Sequence, residues 1–156
     1  MSQWASMTVL PAEDFARLQA DRDAPVSGDR ERFDLHPLWY NFHELYRDEP
    51  GPLRFIVQGD VAERPIEWCL GVLPDQPEDE GDGTYYALVS PPTVAAIVAA
   101  IRAFPPGEVI GRLRKSRPGW VQYKKGRDDF STAFEGIARA YAVAAAQRAG
   151  LTILVC

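Results

Sequence analysis

Histidine and cysteine, which most metal and nucleophile sites draw on, occur only twice each in these 156 residues: His36, His43, Cys69 and Cys156. Neither cysteine sits in a CxxC or Cys/His ligand spacing, which excludes the common structural zinc motifs. One disulfide between them stays open, but two cysteines in a chain of this length suit a reducing cytosol better, so a cytoplasmic location is expected. Long apolar runs are also missing. The longest, residues 94–101, has eight residues, where a membrane span needs about 20. Residues 1–10 carry no charge ahead of an apolar stretch, so no signal peptide is expected. There is no Gly-x-Ser-x-Gly and no Gly-x-x-x-x-Gly-Lys loop, the usual marks of a serine nucleophile and a phosphate cradle. Excess positive charge is lacking too. The net charge of −5 argues against non-specific nucleic-acid binding, which needs a basic surface.

What is present suits a globular core. The chain is 46% hydrophobic and 25% charged, and a length of this order forms one domain, 1–156. Residues 4–10 read as a strand. Pro11 opens a helix, with Glu13 and Asp14 at its positive end and Phe15 and Leu18 inward. Residues 21–32 read as a loop. Asp34 reads as the cap of a helix reaching Tyr46, with Leu35, Leu38, Phe42 and Leu45 on its buried face. A short helix is expected over 65–70, an acidic loop over 75–83 and a strand over 84–89. Ser90 caps a helix to about Ala103, stopped by Phe104-Pro105-Pro106-Gly107. A short helix over 108–115 and a long amphipathic one over 127–149 follow, the latter ended by Gly150. Residues 151–156 form an apolar strand. The expectation is α+β: a small sheet of about three strands covered by five or six helices, in a single domain.

Two stretches have a recognisable outline. Asp34-Leu35 is followed by Trp39-Tyr40-Asn41-Phe42-His43, and Tyr85-Tyr86-Ala87-Leu88-Val89 ends in Ser90-Pro91. With the amino-terminal strand and helix, the long amphipathic helix and the apolar last strand, the chain resembles the YfbM-like family over nearly its full length. That family is a bacterial domain of unknown function. The resemblance implies an α+β fold and no known reaction. The family often has a second histidine directly after the tryptophan; Tyr40 stands there, so no paired-histidine site carries over.

Two groups of side chains are candidates for a site. The first is Trp39, Tyr40, His43 and Glu44, with Tyr86 converging from the strand. Trp39 and His43 share a helix face, so the indole can form one wall of a ligand pocket and the imidazole a polar contact. The plainer reading makes Trp39 core and has His43 bonding a backbone carbonyl, and usual burial favours it. A helix would set His36 and His43 about 10.5 Å apart along its axis, too far for one ion bound at about 2 Å. No metal and no cofactor is expected.

The second group lies in residues 112–127, which hold seven of the seventeen basic side chains. Arg112, Arg114, Lys115, Arg117, Lys124 and Lys125, with Trp120 among them, suit an anionic partner, and the aromatics can stack on a base. The plainer reading is a solvated surface whose long side chains cover apolar atoms. The acidic residues of 75–83 lack the fixed ligand spacing of an EF-hand, and Cys69 beside Trp68 reads as core.

Without catalytic motifs, and with opposed charge over 75–82 and 112–127, the sequence is expected to encode a non-catalytic bacterial protein. A protein partner is expected, in a role of immunity or antitoxin type. The alternative is a small-molecule-binding domain or weak hydrolase with its pocket beside Trp39 and His43.

Overall fold

The computed structural model describes residues 4–24, 29–67 and 84–156. The acidic loop expected over 75–83, and the second half of the helix expected over 65–70, with Trp68 and Cys69, lie outside them. Five strands form one antiparallel sheet. β1 (Ala5–Leu10), β2 (Arg32–Asp34), β3 (Val61–Ala62), β4 (Tyr85–Val89) and β5 (Gly150–Val155) stand in the order β2-β1-β5-β4-β3. Among the described residues five α-helices accompany them: α1 (Ala12–Ala20), α2 (Tyr40–Tyr46), α3 (Pro91–Arg102), α4 (Glu108–Ser116) and α5 (Lys124–Ala146).

The fold is α+β, but the expected three strands become five. β2 and β3 have three and two residues, too few for an alternating pattern to show. They are strands because β1 and β4 pair with them, Met7 opposite Phe33 and Ala62 opposite Ala87. Both lie at the edges, where short strands limit the open backbone available for unwanted pairing.

The middle of the sheet follows from alternation. Ala5, Met7 and Val9 of β1 stand opposite Val155, Ile153 and Leu151 of β5. Those in turn face Tyr85, Ala87 and Val89 of β4. These three cross-strand rows make one wholly buried face. Val94 and Ile97 of α3 and Phe130, Ile137 and Tyr141 of α5 pack with it, while Ala133, Ala140 and Ala144 keep α5 close. The other face is covered by α1, where Phe15 and Leu18 meet Leu10 and Leu88.

Helix boundaries differ from expectation at α2 and at both ends of α5, which starts at Lys124 and not at 127. Asp34 is not a cap: it ends β2 and accepts a hydrogen bond from Arg32 Nε at 3.1 Å. The sheet continues to Leu35, whose N–H donates to Ala5 O at 2.9 Å. Pro37 disfavours a helical His36, and α2 starts only at Tyr40. At the other end α5 stops at Ala146, and the left-handed residue after it is Arg148 (φ 52°), not Gly150. Gly150 serves a different need, because a Cβ there would stand 2.6 Å from Val89 O and 2.9 Å from the Phe15 ring.

α3 is capped from a distance. Ser90 is its N-cap residue but makes no side-chain bond to the helix N–H groups. Its own N–H and the hydroxyls of Ser90 and Thr93 all donate to the Asp60 carboxylate, at 2.8, 2.5 and 2.6 Å. No helix among the described residues is long and apolar enough to cross a membrane.

Candidate functional site

α2 separates the first group of candidates. His43 is 1% exposed, and its Nε2 lies 2.8 Å from Glu67 Oε1. Its Nδ1 is buried with no hydrogen-bond partner among the described residues. Trp39, 2% exposed, belongs to the core, and Tyr40 packs its ring against both Trp39 and His43. Burial works to raise the Glu67 pKa. The bonds from His43 and from its own backbone, and the charges of His43 and Arg47, prevail and hold it below the ordinary carboxylate value. Tyr86 does not converge on this group. It lies on the sheet face covered by α1, with the Arg22 guanidinium 4.9 Å from its ring centre. Glu44, one residue after His43, points outward and is exposed. His36 sits in the turn before α2, where its Nδ1 accepts the Leu38 N–H at 3.2 Å, so the two histidines share no helix. Among the described residues no three His, Cys, Asp or Glu side chains gather as metal ligands would.

Glu44 instead joins the second group. Between α2 and α4 runs a groove of about 670 Å³. Asn41, Glu44 and Arg47 line one side; Glu108, Arg112, Lys115 and Arg117 line the other, and Trp120 stands at the end. Four of these side chains are basic and two acidic. The local sequence builds the wall in steps. Gly107 takes φ 72° to start α4, a conformation glycine adopts without Cβ strain. Glu108 in the first turn and Arg114 and Lys115 in the last complement the helix dipole. Pro118 then forces Arg117 out of the helical region, at φ −142°. A single 3₁₀ turn, Pro118–Val121, follows and carries Trp120.

That turn is fixed to α5. Gly126 lies so close to it that an added Cβ would clash with Trp120 O. Arg127 Nη1 donates to Val121 O and Gln122 O, each at 3.1 Å. Trp120 is still 40% exposed. Its ring stacks on Phe130 (5.7 Å between centres, 11° between planes), and the Arg117 guanidinium lies 5.2 Å from its centre.

The basic side chains divide by what already holds them. Arg112 donates from Nε to Glu108 at 2.5 Å and from Nη1 to Glu49 at 2.6 Å, and lies 4.8 Å above the Tyr46 ring. These carboxylates keep its pKa above the ordinary arginine value. Burial raises the Tyr46 phenol, with Arg112 pulling the other way. Arg112 thus ties α4 to α2 within the wall of the groove. Lys124 and Lys125 pair with Asp128 and Asp129 one turn on, at 2.7 and 3.0 Å. Arg114, Lys115 and Arg117 make no ion pair among the described residues. Lys115 and Arg117 face the groove; Arg114 does not line it.

Sequence reading did not find Glu67, Arg47, Glu49 or Asp60. Each meets its partner across 24 or more residues, or lines the groove from another element, and no spacing marks it. Trp120 and Arg117 were legible because an aromatic among cations is visible in one dimension.

No family model and no curated protein matches the sequence. Among solved structures the chain is similar to YfbM from Escherichia coli, a protein of unknown function. The TM-score is 0.59 at 16% identity, over 98% of this chain and 99% of that one. The fold is YfbM-like.

Proposed function

We propose that this chain is a non-catalytic binding domain whose α2–α4 groove holds an acidic segment of a partner protein. The observation that carries this is the pair of cations Lys115 and Arg117, which have no carboxylate partner among the described residues, beside exposed Trp120 on a rigidly held turn. Tryptophan and arginine are enriched where binding energy concentrates in protein interfaces. Fixing them beforehand lowers the ordering cost of association. The sign of the groove refines the immunity- or antitoxin-type reading: the partner presents carboxylates here, despite the overall net charge of −5. Recognition of a nucleotide base is disfavoured, since Phe130 and Arg117 already occupy the indole ring. The alternative of a ligand pocket beside Trp39 and His43 has no opening to support it, given the burial of both.

The test is fluorescence anisotropy with a labelled glutamate-rich peptide at low ionic strength. The protein should bind it, with affinity falling as salt rises. The Lys115→Glu/Arg117→Glu variant should bind at least about tenfold more weakly. Adenosine triphosphate should compete no better than inorganic triphosphate. Equal affinity of variant and parent would sink the proposal, and so would a clear preference for the nucleotide.

A further inference from the structure

We infer that the segment held by the groove is bipartite, with carboxylates on one side of Trp120 and one bulky apolar side chain on the other. This rests on the reading of the groove as a site for an acidic segment. A second depression, about 410 Å³, opens beyond Trp120 and is lined by Leu38, Asn41, Trp120, Gly126, Asp129 and Phe130. It shares Asn41 and Trp120 with the charged groove. A short stretch of chain therefore passes from one to the other across the exposed indole.

The two depressions differ in chemistry. In the charged groove, Lys115 and Arg117 lack carboxylate partners among the described residues. In the second, the lining is mostly carbon. Leu38 is half-buried against the core, Phe130 stacks under Trp120, and Gly126 contributes no side chain. Its one acidic group, Asp129, pairs with Lys125 at 3.0 Å. An ion gains nothing there, whereas a leucine or phenylalanine side chain leaves water against Leu38, Phe130 and the edge of Trp120. Gly126 also lets the Trp120 carbonyl approach α5 closely. The occupant is then an acidic segment with a large apolar residue among its carboxylates, a composition common in segments that order only on binding.

The experiment uses two labelled peptides of equal length and charge, rich in glutamate, with either leucine or serine at the centre. The full chain should bind the leucine peptide about tenfold more tightly. Leu38→Asn should abolish that ratio by weakening the leucine peptide. Should Leu38→Asn fail to fold, Asp129→Leu on the half-buried rim should raise the ratio. Equal affinity for both peptides overturns the inference and leaves the acidic-segment reading standing. A ratio that survives Leu38→Asn, or does not move in Asp129→Leu, also overturns it. Binding of neither peptide overturns both readings.

Discussion

His43 and Glu44 are consecutive in α2, and about 100° of helical turn separates their directions. His43 is enclosed and bonded to Glu67, while Glu44 faces the groove. The titration of Glu67 follows from that contact. Its folded-state pKa lies below the ordinary 4.5, so the ionised form is the one the fold prefers. Its contribution is complete above the unfolded value and is lost as pH falls through the lower folded value. Glu67→Gln should therefore cost stability at neutral pH and progressively less below about pH 4.5. Urea melts across a pH series measure this. A cost that stays constant into acid would show that the carboxylate's charge is irrelevant. Sequence alone placed Trp39 and His43 on one face, yet could not supply Glu67, because a partner 24 residues away leaves no periodic trace.

At the scale of elements, the α5–β5 junction separates two roles that sequence reading gave to one residue. Gly150 was expected to end the helix. Arg148 takes the left-handed conformation instead, and Gly150 lies against Val89 O and the Phe15 ring. An arginine in that region is strained, so Arg148→Gly should stabilise the protein by about 0.5–1 kcal/mol. Gly150→Ala should destabilise it by about 1–3 kcal/mol through overpacking. Thermal melts of the two variants should move in opposite directions; a shared direction would refute this division. The same lesson holds elsewhere. Long amphipathic or alternating segments such as α5, β1 and β5 were legible because their own pattern demands a buried face. β2, β3 and the cap of α3 by Asp60 were not, because each exists only through a partner distant in sequence.

At the scale of the whole molecule, stability should concentrate at the centre of the sheet. Ile153 sits in the middle row between Met7 and Ala87, all of them buried. Ile153→Ala should cost about 2–5 kcal/mol. A change at exposed Ala62 on the β3 edge, such as Ala62→Ser, should stay within about 0.5 kcal/mol. Urea midpoints should shift accordingly with unchanged slopes; comparable losses at both sites would mean stability is not centred there. The inner strand β5 is also the last, and it pairs along the whole of β1, the first. Beyond the strands, Trp4 and Cys156 exchange backbone hydrogen bonds at 2.9 and 2.8 Å. This arrangement has a consequence for manufacture on the ribosome. Leu10 and Gly150 are 140 positions apart, so translation leaves β1 waiting for its neighbour on the order of ten seconds. Throughout that interval Met7 and Val9 lack the Ile153 and Leu151 that stand opposite them in the folded chain, an unmet apolar demand of the kind a chaperone shields.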